Sequence, residues 1–111
     1  MSRRQPALRA IPDEARLVEE LVRRILGWRS APGRFLKAGR GWIPTWRFQP
    51  FEDLADAFQL LDRAADRFCL TSDRNIFTAE VQIGERRGRA SGQLKARTIT
   101  TAIARGLGME I

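Results

Sequence analysis

The sequence predicts an α+β fold: one short antiparallel sheet of two to four strands covered by three helices, in the order α-β-α-β-β-(β)-α. Three observations in the 111-residue chain carry this reading. Two stretches before residue 69 repeat apolar residues at helical spacing, and the spacing switches to a period of two between residues 76 and 83. An Ala- and Ile-rich helical pattern then closes the chain. At this length there is room for one domain with one modest core. The expected organisation is a flexible basic N-terminal arm over 1–11 and a single α+β domain over 12–111.

The arm carries Arg3, Arg4 and Arg9. PDEARLVEELVRRIL then predicts a helix over 12–26. Pro12 suits a first turn, Asp13 and Glu14 sit where the helix dipole favours anions, and Gly27 terminates it. Leu17, Val18, Leu21, Val22, Ile25 and Leu26 form its inner stripe. Glu19–Arg23 and Glu20–Arg24 are i,i+4 pairs on the solvated side. Residues 27–48, GWRSAPGRFLKAGRGWIPTWRF, hold too many glycines and prolines for a helix, so a loop with one extended segment near Trp42–Phe48 is expected.

A second helix is predicted from Pro50 to about Asp66, with Glu52 and Asp53 in its first turn. Phe51, Leu54, Phe58, Leu61 and Ala65 recur along it at helical spacing. FCL reads as a short strand and TSDRN as a turn. IFTAEVQIG alternates, with Phe77, Ala79, Val81 and Ile83 on one face and Thr78, Glu80 and Gln82 on the other. ERRG makes a turn and GRASG a brief third strand. The last helix is capped by Thr98, its inner stripe is Ile99, Ala102, Ile103 and Leu107, and Gly106 and Gly108 weaken its end.

Net charge is +7, unevenly placed. Residues 1–47 carry eleven cations against four acids, 48–85 three against eight, and 86–111 six against one. Both ends are basic and the middle is acidic, so ends that meet in the fold would form one face attractive to polyanions. Eighteen of the twenty cations are arginine, the side chain best suited to bidentate phosphate contacts.

The missing residues exclude much chemistry. With no histidine, no tyrosine and one cysteine, the usual zinc ligand sets and the Ser–His and Cys–His nucleophiles are excluded. No phosphate-binding glycine motif occurs, and GERRGRASG lacks a GK[ST] ending. The expectation is a protein that is not an enzyme and needs no cofactor or metal. Cys69, inside the apolar run FCL, is expected to be a buried thiol in a reducing compartment. No apolar run approaches the ~20 residues of a membrane helix and the start has no signal-peptide core, so a cytoplasmic location without membrane partners is expected.

Several landmarks together resemble a known family. A helix ending in LGW (Leu26, Gly27, Trp28) precedes GWxP (Gly41, Trp42, Pro44). An aromatic at Phe48 then comes before an Ala-rich helix, a β-hairpin and a final Ala/Ile helix. This pattern, over residues 16–107, is similar to the phage ABA-sandwich domain family of small bacteriophage and prophage proteins. The chain departs from it at WRFQP, where the family often has a PxY(S/T)-type start to the second helix, and at the cationic ERRGR. The resemblance implies the fold, a phage or prophage origin and a bacterial host cytoplasm. It implies no activity, because the family's function is unassigned, and it transfers no functional residue.

The segment 27–48 contains five cations, five large aromatics and no acid. Trp28 and Trp42, at the landmark positions, are expected to plug the seam between helix and sheet. Phe35 and Trp46 are left as candidate anchors. With them, Arg34, Lys37, Arg40 and Arg47 form a candidate macromolecule-binding loop, extended by Arg86, Arg87, Arg89 and Lys95 if the hairpin tip lies nearby. Two functions fit. The leading expectation is a phage accessory protein that binds a host or phage protein, as a host-defence inhibitor such as an anti-CRISPR or as an adaptor, with self-association also open. The alternative is nucleic-acid binding without sequence specificity through loop 29–47 and the arginines of 86–97.

Overall fold

The computed structural model describes residues 14–111. The basic arm expected over 1–11 and the Pro12–Asp13 start of the first helix lie outside the described residues.

The first helix (α1) is α-helical over 14–21 and ends in one π-helical turn, Val22–Leu26. Val18, Leu21, Val22 and Leu26 are buried, with Leu17 and Ile25 at the border, as the predicted stripe requires. Gly27 stops the helix at φ 75° and donates its N–H to the Val22 carbonyl. On the solvated side the ion pairs converge on one acid: Glu20 meets Arg23 at 2.7 Å and Arg24 at 3.9 Å. The Arg23 hydrogen bond lowers the Glu20 pKa.

The expected loop is a small antiparallel sheet. Strands β1 (Arg29–Ala31), β2 (Arg34–Leu36) and β3 (Trp42–Pro44) form a meander in that order, followed by a 3-10 turn at Thr45–Arg47. Three-residue strands are too short to display a period of two, so only their Gly- and Pro-rich turns are visible in the sequence. Pro32–Gly33 joins β1 to β2 with Gly33 at φ 73°, a conformation glycine adopts without steric cost.

Helix α2 spans Leu54–Ala64, shorter at both ends than expected. Asp53 precedes it as N-cap, its side chain accepting from the Asp56 N–H, while Pro50 and Phe51 are buried in the turn before. Asp66 has left the helix. Its N–H donates to the Gln82 carbonyl at 2.8 Å and its carboxylate accepts from the Gly84 N–H at 2.7 Å.

The second sheet consists of β4 (Arg67–Asp73), β5 (Ile76–Ile83) and β6 (Arg86–Gly92), antiparallel and in chain order. FCL and TSD thus belong to one strand, and ERRG contributes both arginines to β6. The register pairs Phe68, Val81 and Gly88 in one row and Leu70, Ala79 and Ala90 in the next, on the face covered by helix α3 (Lys95–Gly106). The opposite face has Cys69 beside Glu80 and Arg89, and Arg67 beside Gln82 and Arg87. Cys69 is exposed, contrary to the expectation of a buried thiol. It lies on the uncovered face of an edge strand, where apolar sequence neighbours give no shelter.

Helix α3 is buried nearly all round. Its sheet side approaches so closely that a Cβ on Gly88 would lie 2.9 Å from Gly106 Cα. On the far side the Thr100 hydroxyl donates to the Pro50 carbonyl at 2.6 Å. Thr98 is not the cap expected of it. Leu94 holds that position, and the Thr98 hydroxyl donates back to the Leu94 carbonyl at 2.8 Å. Contacts run in series from the β4–β6 sheet through α3, α2 and α1 to the small sheet. One hydrophobic cluster spans them all. The fold is α+β as predicted, but with two three-stranded sheets in place of one.

Candidate functional site

The small sheet sorts the aromatics of residues 27–48 differently from the sequence expectation. Its inward row is Ser30, Phe35 and Ile43, and the rows Arg29–Leu36–Trp42 and Ala31–Arg34–Pro44 point outward. Phe35 is 2% exposed and cannot serve as a stacking anchor. It packs with Trp28 at 6.1 Å between ring centroids, and Trp28 meets Phe48 edge-on at 5.2 Å. That trio joins the small sheet to the helices, and such aromatic pairs contribute about 0.5–1.5 kcal/mol beyond their buried area. Trp28 plugs the seam as expected. Trp42, expected beside it, is instead 59% exposed. Two-residue alternation decides this: Phe35 pairs with Ile43, so Trp42 must face the other way.

Trp46, in the 3-10 turn just beyond β3, is 70% exposed. Each exposed tryptophan has a guanidinium over its ring, Arg34 at 5.6 Å from the Trp42 centroid and Arg47 at 5.9 Å from Trp46. At exposed sites such contacts are worth about 0.5–1 kcal/mol and hold the planar groups in register. Lys37 Nζ lies 5.6 Å from the Trp28 ring. Arg40 is exposed in the loop between β2 and β3. Among the described residues, neither these cations nor Arg29 enter an ion pair. Their charge is therefore available to a partner.

The hairpin arginines do not extend this face. Arg86, Arg87 and Arg89 belong to the other sheet. Arg86 rests against Gly108, and Arg89 pairs with Glu80 at 3.1 Å on the uncovered face. Lys95, at the start of α3, lies over the Phe77 ring at 5.8 Å. The basic chain ends do meet, through Arg24 donating to the Leu107 carbonyl and Arg97 to Glu14 at 2.6 Å. Those contacts use up cationic groups rather than pool them.

Beside Trp46 lies a groove of about 720 Å³ between α1, the β1–β2 turn and the residues leading into α2. Phe35, Phe48 and Phe51 form its apolar floor, and Glu14, Glu19 and Glu52 supply carboxylates. Arg97 closes one end, its guanidinium 5.2 Å from the Phe51 ring and hydrogen bonded to Glu14, a bond that raises the Arg97 pKa. Sequence reading missed both this groove and the exposure of Trp42. The GWxP landmark drew attention to Trp42 only as a packing residue.

No family model matches the chain, and no curated protein matches it significantly in sequence. The resemblance to the ABA-sandwich family thus finds no support from a family model. In three dimensions the chain is similar to a phage protein from Bacillus cereus ATCC 14579 solved at 2.0 Å, with a TM-score of 0.67 and 12% identity over 87% of this chain and 89% of that one. At that identity the likeness is one of fold. No helix among the described residues is long and apolar enough to cross a membrane.

Proposed function

We propose that this chain is a non-enzymatic accessory protein of a phage or prophage, working in the bacterial cytoplasm by binding another protein through the outward face of its small sheet. The observation that carries the reading is the pair of exposed tryptophans, Trp42 and Trp46, each aligned with an arginine on a short rigid sheet. Tryptophan and arginine dominate the energetics of protein interfaces. Leu36 and Pro44 are half-buried between these side chains and supply an apolar floor. The unpaired Arg29, Arg34, Lys37, Arg40 and Arg47 favour a partner with an acidic surface. A host-defence component, such as a CRISPR effector, or a phage protein joined through an adaptor contact fits that description. The phage setting rests on the fold of the Bacillus cereus phage protein. The lack of histidine and of a sheltered nucleophile supports a binding role over catalysis.

A second reading rests on the same face. Arginine-flanked tryptophans in an acid-free segment also suit single-stranded nucleic acid, with bases stacked at about 1–3 kcal/mol each and phosphates held by the cations.

The experiment is capture from host lysate by immobilised protein, run alongside Trp42→Ala and Trp46→Ala, with oligonucleotide anisotropy at about 50 and 200 mM salt. Capture of one protein that both alanine variants lose, with oligonucleotide binding that vanishes at the higher salt, is expected. Saturable oligonucleotide binding that persists at the higher salt and needs the tryptophans would replace the first reading by the second.

A further inference from the structure

Strand β4 is the feature that the proposed binding face leaves unexplained. It is a seven-residue edge strand whose outer backbone groups, among the described residues, receive no side-chain hydrogen bond. Exposed edges invite pairing and are normally blunted by lysine, proline, a bulge or a cover. The β6 edge of the same sheet follows that rule. It carries Arg86, Arg87 and Arg89, two glycines, and an Arg105 guanidinium that donates to the Arg89 carbonyl at 2.9 Å. Strand β4, RFCLTSD, has no lysine, proline or glycine, and all seven residues pair in regular register with β5.

Its apolar side chains are also left open. Phe68 and Leu70 face the same side as Val81 and Ala79, but α3 lies over β5 and β6, and Phe68 is 47% exposed. Charge does not oppose a second copy here, because β4 belongs to the acidic middle of the chain and not to its basic ends.

The sequence of the strand is complementary to itself when reversed. With a two-fold axis at Leu70, antiparallel pairing of β4 with a second copy sets Leu70 against Leu70. Arg67 then falls opposite Asp73 of the second copy, and Asp73 opposite the second copy's Arg67. Cys69 falls opposite Thr71, and Phe68 opposite Ser72. Two opposite-charge pairs and a continuous apolar row over Phe68 and Leu70 arise from a single register, and opposite-charge and apolar cross-strand pairs each stabilise a sheet. A shift of one residue in either strand would place Arg67 and Asp73 on opposite faces. We infer that the chain forms a two-fold homodimer through β4, joining the two β4–β6 sheets into one of six strands. The small sheets stay outside this interface, so the dimer presents two copies of the tryptophan face.

The test is sedimentation velocity at micromolar to high micromolar concentration, with far-UV circular dichroism as the control for folding. The dimer is expected for the natural chain. Leu70→Lys sets like charges against each other at the axis, and it should shift the midpoint of association at least tenfold, as a lost apolar pair and a like-charge contact together require. Arg67→Asp should weaken association, and the double swap Arg67→Asp with Asp73→Arg should restore it, an outcome unrelated contacts do not produce. Thr71→Cys reads the register directly: mild oxidation should give a covalent dimer through native Cys69, while Ser72→Cys, on the other face, should not. A monomer at all concentrations overturns the inference, as does a dimer that is indifferent to Leu70→Lys or that cross-links through Ser72→Cys and not Thr71→Cys. Loss of the tryptophan-dependent partner with the dimer intact would refute only the proposed function.

Discussion

Gly88 in β6 faces Gly106 in α3 with no side chain between them. A methyl group on Gly88 would sit 2.9 Å from Gly106 Cα, and closer still to Gly106 N and the Ala102 carbonyl oxygen. From the helix side, a Cβ on Gly106 would meet Ile83 Cδ1 at 3.1 Å and Val81 Cγ2 at 3.2 Å. The two glycines therefore set how near the helix lies to the sheet. Gly106, read from sequence as a weakness in the last helical turn, loses helix propensity of about 1 kcal/mol but permits this approach.

Gly88→Ala should destabilise the fold by about 3 kcal/mol, at the upper end of overpacking costs, because backbone atoms block the methyl group on both sides. Urea unfolding would show a lower midpoint at unchanged slope. Gly92→Ala, which meets only the Thr98 hydroxyl at 3.1 Å, should cost markedly less. Equal midpoints for the two variants would mean the helix can lift off the sheet freely.

Thr100→Val removes the hydroxyl that donates to the Pro50 carbonyl at 2.6 Å. Thr100 is fully buried, so the carbonyl loses a partner that water does not readily replace. The expected loss is about 1–3 kcal/mol, measured by thermal unfolding. Thr100→Ser, which keeps the hydroxyl, should recover part of it.

Asp53→Ala deletes the side chain that caps α2 through the Asp56 N–H at 3.1 Å. A loss of about 1 kcal/mol is expected, with amide exchange accelerated first at Asp56. Exchange accelerated uniformly across the molecule would indicate that α2 does not open on its own.

Leu21→Asp puts a carboxylate at a fully buried position on the inner stripe of α1. It should abolish cooperative folding, because an unpaired buried charge costs more than the few kcal/mol of stability a small domain has to lose. A soluble variant with a cooperative thermal transition would contradict the burial of that stripe.

Arg34→Glu with Arg40→Glu should abolish binding to polyanions while leaving thermal stability within about 0.5 kcal/mol of the natural chain, since both side chains are exposed and unpaired. Anisotropy with a labelled oligonucleotide and a melting curve on the same sample check both halves. A double variant that binds with the same salt slope would remove the small sheet as the anion site.

Much of the architecture was legible in the residues alone. The inner stripe of α1, the stop at Gly27, the alternation of Phe77, Ala79 and Val81, and the helical pattern of Ile99, Ala102 and Ile103 all reflect local periodicity, which a chain cannot hide. The acid-free cationic segment and the exclusion of histidine chemistry were equally plain from composition.

What the tertiary structure alone decided concerns partners distant in the chain. Phe35 is buried and Trp42 exposed because β2 pairs with β3 in one register, and a one-residue slip would exchange them. Cys69 is exposed because β4 is the edge that α3 does not reach. Arg89 is neutralised and Arg34 free because Glu80 stands across the strand from one and no acid stands near the other. Periodicity reports which way a side chain points relative to its own element. Only packing determines what lies on the other side.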